Sequence, residues 1–152
     1  QFAFGGEQNS DFLPFNFVPN SVVYTGTHDN ETTLGWYLNA SEEERDHVRR
    51  YMSVSGRDIV WDLIRLAYAS VSVMAIIPMQ DLFVLGNEAR MNYPGKEGGW
   101  WQWRYTREMF AARAPGIVLG LGELAKLFGR APVEPEEVEE AEEQDAAAPA
   151  AE

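Results

Sequence analysis

A chain of 152 residues, 45% of them hydrophobic, has the length for one domain with a sizeable core. Its formal charge of −12 belongs to its end: nine acidic residues and no Lys or Arg lie between Glu134 and Glu152, leaving 15 acidic against 12 basic residues before them, with no basic cluster of the kind nucleic acid requires. The absence of Cys excludes disulfides, thiolate nucleophiles and Cys-based zinc sites, and no apolar run reaches the roughly 18–20 residues that span a bilayer, so no membrane partner is expected and a cytoplasmic setting fits.

The first element, "QFAF" (residues 1–4), is a short apolar run stopped by Gly5-Gly6 and reads as the end of a buried strand. It has neither an initiator Met nor the basic region of a signal peptide, so the chain reads as starting in the middle of a longer one. A loop follows, in which Pro14 and Pro19 forbid regular pairing. "SVVYTGT", Ser21 to Thr27, is β-branched and aromatic and predicts a strand. Asp29 or Asn30 can cap the helix expected next, over Glu31 to Ala40. Ser41 and Glu44 have capping-box spacing and open a second helix to Met52. A third helix is predicted over Arg57 to Met74, then a buried strand around Val73 to Ile77. After a polar, Gly-rich stretch, two helices are expected, Thr106 to Arg113 and Pro115 to Phe128. Beyond residue 130 the sequence is dominated by Glu, Ala and Pro and predicts a disordered, solvated tail over 131–152.

Strands separated by helices imply parallel pairing, and short apolar strands suit a sheet covered on both faces. The fold class is therefore α/β, with too few strands for a closed sheet. Three stretches can carry chemistry. Thr27-His28-Asp29-Asn30 directly follows a strand; a carboxylate there can accept two donors at once, which suits neighbouring sugar hydroxyls, and the imidazole adds one more hydrogen bond. Helix capping explains one of these four polar residues, not all four. Gln80-Asp81 follows the next strand and leads into "LGNEARMNYPG", where a turn with a surface ion pair from Glu88 to Arg90 or Lys96 is the plain alternative. "GGWWQWRY" carries three Trp in four positions, to line a sugar cleft or plug a rim. The two histidines, His28 and His47, have no matching ligands for zinc, and no metal site is expected.

"YTGTHDNETTLGWY", "PMQDLFVLGNEARMNYPG" and "WQWR", with "QFAF" and "LPFNF" ahead of them, closely resemble the 4-α-glucanotransferases of glycoside hydrolase family 77. The resemblance runs in the family's order over residues 1–130. It implies the C-terminal part of a TIM-type (β/α)8 barrel, about strands six to eight with their helices, incomplete without the N-terminal part of the same barrel. The implied activity is retaining transfer of α-1,4-glucan segments to the 4-hydroxyl of glucose or another glucan, on maltooligosaccharides and related glucans, with no cofactor. The nucleophile and acid/base of the family come from earlier strands and are absent. Asp29 takes the place of the transition-state stabiliser, and His28, Asn30, Gln80, Asn92 and Trp100 are the expected sugar-binding residues. The chain departs from the family at Phe15, where many members have His, and at Gly98-Gly99-Trp100, where many read Gly-Asn-Trp. Two other readings share part of the pattern: a glucan hydrolase of the related α-amylase clan, and a non-catalytic carbohydrate-binding piece.

Overall fold

The computed structural model describes residues 1–5 and 10–132. Its regular elements are β1 (Val22–Tyr24), α1 (Thr33–Asn39), α2 (Glu42–Met52), α3 (Ile59–Tyr68), β2 (Met74–Ile76), α4 (Met79–Leu82) and α5 (Arg107–Leu127), with 3-10 turns at Phe2–Phe4, Pro14–Asn16 and Asn87–Ala89. β1 and β2 pair in parallel, Val22 opposite Met74 and Tyr24 opposite Ile76. The chain between them is three helices long, as a parallel connection requires. The mixed α/β class is as expected; both strands are shorter than their predicted spans.

The core gathers on α3. Ile59, Val60, Leu63, Ile64 and Ala67 are buried along it at helical spacing, and α3 packs against α1, α4 and α5. Trp36 and Tyr37 of α1, Val48 of α2 and Leu124 of α5 join the cluster, with Ala3, Phe4 and Leu13 from the N-terminal segment. Phe4 stacks on Trp36 at 6.0 Å and meets Tyr51 edge-on at 5.6 Å.

Four local expectations are corrected. Residues 2–4 form a 3-10 turn instead of a strand end, because the Phe4 N–H finds the Gln1 carbonyl at 3.3 Å and so needs no ladder partner. α1 is capped by Thr32, whose side chain accepts from Gly35 N at 3.1 Å, so neither Asp29 nor Asn30 is the cap. α3 stops at Tyr68, six residues early, where the Ser70 hydroxyl and the distant Arg130 take over the free carbonyls. The two C-terminal helices are one: α5 runs through Pro115, held on one side by Arg113 over the Phe83 ring and on the other by buried Ile117 and Leu124. Ser41 caps α2 as its spacing requires, but the Glu44 carboxylate turns away to accept the Trp36 indole N–H at 2.9 Å. Of the acidic tail, residues 133–152 lie outside the described residues.

Candidate active site

β1 ends in a loop that carries polar side chains, β2 leads through α4 into a second loop over residues 83–106, and backbone and side-chain bonds join the two loops. The first, residues 25–32, closes on itself: Asn30 Oδ1 accepts from Thr27 N (2.7 Å) and Thr27 Oγ1 (3.0 Å), while Asn30 N donates to the Thr27 carbonyl at 3.1 Å. This turn pushes His28 and Asp29 outward, leaving their side chains 54% and 50% exposed. With Thr32 as the helix cap, the Asp29 carboxylate is free for other partners.

The second loop supplies them. Asn92 Nδ2 donates to Asp29 Oδ1 at 2.6 Å, and Asn92 N donates to the His28 carbonyl at 3.1 Å. Arg90 lies between the loops, donating from Nη2 to the Asp29 carbonyl (2.8 Å) and from Nε to the Asn92 carbonyl (2.7 Å). His28 Nε2 lies 3.4 Å from Asp29 Oδ1. One carboxylate oxygen is thus fixed by a charge-assisted hydrogen bond, while half of the side chain faces open space.

Beside His28 is a cavity of about 180 Å³, lined by His28, Asn30, Gln80, Arg90, Met91 and Trp101 among others, while Asp29 and Asn92 stand outside its lining. The Trp101 ring lies 4.9 Å from the His28 ring. Trp101 has a φ of 68°, in the left-handed region that bulky residues avoid. Its N–H donates to the Met91 carbonyl at 2.7 Å and its carbonyl accepts from Arg104 at 2.9 Å, so contacts on both sides hold the strained residue against the site. An aromatic face beside hydroxyl-sized donors and acceptors is suited to a sugar ring. Among the described residues no group of three or more His, Cys, Asp or Glu is placed to hold a metal ion.

Of the residues expected to act together, His28, Asp29 and Asn92 are joined by direct contacts, and Asn30 and Gln80 line the cavity. Trp100 does not line it; its ring lies 5.6 Å from Tyr93 and its indole N–H is buried without a partner among the described residues. Trp101 and Arg90 are the members that sequence reasoning missed. Three Trp in four positions are equivalent on composition, and only the positive φ at Trp101 selects one. The alternative of a surface ion pair from Glu88 to Arg90 or Lys96 does not hold: Glu88 accepts from Gly86 N at 2.8 Å and forms no ion pair with either among the described residues. Lys96 instead sits over the Tyr93 ring at 3.9 Å, where the electron-rich ring face takes the place of a carboxylate partner.

The family model described as 4-alpha-glucanotransferase, glycoside hydrolase family 77, matches residues 1–109. Among characterised relatives, the 4-alpha-glucanotransferase of Synechocystis sp. is 44% identical over 131 residues, covering 85% of this chain and 25% of its own length. The chloroplastic/amyloplastic 4-alpha-glucanotransferase of Arabidopsis thaliana is 49% identical, with 86% of this chain and 23% of the relative covered. An amylomaltase from Streptococcus agalactiae, solved in complex with acarbose, superposes with a TM-score of 0.77 at 33% identity over 85% of this chain and 26% of that one. The chain therefore spans about a quarter of the length of the proteins it matches.

Proposed function

The chain belongs to glycoside hydrolase family 77, the 4-alpha-glucanotransferases, and from this membership we propose that it is the C-terminal part of a retaining transglycosidase acting on α-1,4-glucans. β1 and β2 are assigned to strands seven and eight of a (β/α)8 barrel. Their parallel pairing, and the position of both site loops beyond the strands' C-terminal ends, one directly and one after α4, support the assignment.

Retaining transfer uses two carboxyl groups about 5–5.5 Å apart, one a nucleophile and one an acid/base. In this reading both come from earlier strands of the parent protein, and Asp29 is a third carboxylate with a different task. It accepts hydrogen bonds from hydroxyls of the glucosyl residue at the scissile bond. These bonds shorten as positive charge develops on the ring, so they stabilise the transition state more than the bound glucan. His28 contacts the same sugar, Asn92 fixes Asp29, and Trp101 offers the ring a face. The observation that carries the reading is the Asp29 carboxylate itself, held on one oxygen by Asn92 and half exposed beside His28, which lines the cavity.

Hydroxyl contacts that strengthen at the transition state contribute several kcal/mol, about 10²-fold or more in rate. Asp29→Asn in the full-length parent is expected to lower kcat for maltotriose disproportionation by at least about 10²-fold, with a smaller change in KM. The fold is expected to persist, because the helix cap belongs to Thr32. A folded variant with near-normal turnover overturns the assignment, and products no longer than the donor would point to hydrolysis.

A further inference from the structure

Directly after β2, the short helix α4 places one carboxylate in the interior. Asp81 is 1% exposed. Its Oδ2 accepts from Thr25 Oγ1 at 2.5 Å and from Thr33 Oγ1 at 2.7 Å, and its Oδ1 accepts from Thr33 N at 2.8 Å. Both threonines are buried as well. Thr25 is the residue on which β1 hands over to the loop, and Thr33 is the first residue of α1. One carboxylate thus closes a bracket around residues 26–32, the segment that carries His28, Asp29 and Asn30.

We infer that Asp81 is a positioning residue: it sets the two ends of the Asp29 loop relative to β2, and through them the place of the Asp29 carboxylate. The inference rests on the proposed role of Asp29 and deepens it. A cap alone does not account for the arrangement, since Thr32 already caps α1 and Thr25 lies outside any helix. The neighbouring side chain acts on the other wall. Gln80 Nε2 donates to the Ala89 carbonyl at 3.2 Å, next to Arg90, which in turn binds the Asp29 carbonyl. Two consecutive residues of α4 therefore register both loops against each other. A rigid second layer of this kind matters because a displacement of about 1 Å at a reacting group costs on the order of 10²-fold in rate.

The test uses the full-length parent enzyme with Asp81→Ala, Thr25→Val and Thr25→Ser, each compared with the unaltered protein by circular dichroism, transfer kinetics on maltotriose well below the melting midpoint, and amide hydrogen exchange. Thr25→Val keeps shape and removes one donor to Asp81. It is expected to lower kcat about tenfold with KM within about twofold, and to speed exchange over residues 26–32 but not over α2. Thr25→Ser, which keeps the hydroxyl, is expected to stay within about twofold of the unaltered kcat. Asp81→Ala is expected to lose about 10²-fold if it folds; if it does not, the Thr25 pair decides. A folded Thr25→Val with unchanged kcat and unchanged exchange over 26–32 overturns the positioning role, whatever its effect on Tm. A parent enzyme with no transfer activity overturns the functional reading instead, and the exchange measurement then still decides on the bracket.

Discussion

Asp29 and Thr32 show how a single residue's role is settled by which neighbour does the local work. Asp and Asn are favoured caps, and from spacing alone either Asp29 or Asn30 could have closed α1. Thr32 does so, and Asn30 is spent on the turn with Thr27, which leaves the Asp29 carboxylate with no backbone duty and bonded to Asn92. Gly35 marks a second constraint at this scale. A Cβ at this position would collide with the Asn87 side-chain amide, whose Nδ2 donates to Glu31 Oε1 at 2.5 Å. Helix propensity alone favours Gly35→Ala by up to about 1 kcal/mol. Expelling the Asn87 amide breaks its bond to Glu31 and forces a shift, and overpacking of this kind costs about 1–3 kcal/mol. The steric term therefore wins: Gly35→Ala in the parent enzyme is expected to unfold at lower denaturant concentration than the unaltered protein. An unchanged or higher midpoint would show that the 87–89 turn yields without cost.

The helices were legible to the extent that their signals were local. Ser41 with Glu44 three residues on gave the start of α2, and the apolar spacing along α3 gave its buried face. The end of α3 was not legible, because the group that terminates it lies far along the chain. Arg130 donates from Nε to the Tyr68 carbonyl (2.7 Å) and from Nη2 to the carbonyls of Ser70 (2.8 Å) and Ser72 (2.9 Å). A helix C-terminus leaves carbonyls that need such partners, and no window of sequence around Tyr68 contains a clue to residue 130. α5 was misread for the opposite reason: Pro115 is a strong local break signal, and tertiary contacts on both sides of it override the signal. Removing Arg130 leaves three carbonyls short of a donor, and hydrogen bonds to a charged group are worth about 1.5–3 kcal/mol each when their partner is buried. These carbonyls are only partly buried, so Arg130→Ala is expected to destabilise the parent enzyme by about 1.5–3 kcal/mol in total, read from equilibrium denaturation. Arg130→Lys should recover only part of that, since one ammonium cannot reproduce the guanidinium's fork. Full recovery by Lys would mean that charge, not geometry, ends α3.

At the scale of the whole chain, the two paired strands expose a face that the order of elements alone could not show. Val22, Tyr24, Met74 and Ile76 face the same side of the sheet in register, and each is 40–52% exposed. The opposite face is the covered one: Val23 is buried. Alternation along a strand normally pairs an apolar face with the core and a polar face with water; here both faces are apolar, which is the pattern of strands covered on both sides. The sequence carried this pattern, as the run of β-branched and aromatic residues around Val22 and Met74. What covers the second face was not readable, because it lies among residues that the chain does not contain in the reading proposed here. Unpaired strand edges next to such a face favour association. The 152-residue chain alone, 17.1 kDa by sequence, is therefore expected to elute from a sizing column well above the monomer position and to enhance the fluorescence of a hydrophobic dye. On the proposed function, which puts the nucleophile and the acid/base on earlier strands of the parent, it is also expected to release no glucose from maltotriose. A monodisperse, dye-silent monomer would show that the face is covered from within the chain, and glucose release would show that the catalytic pair is not upstream.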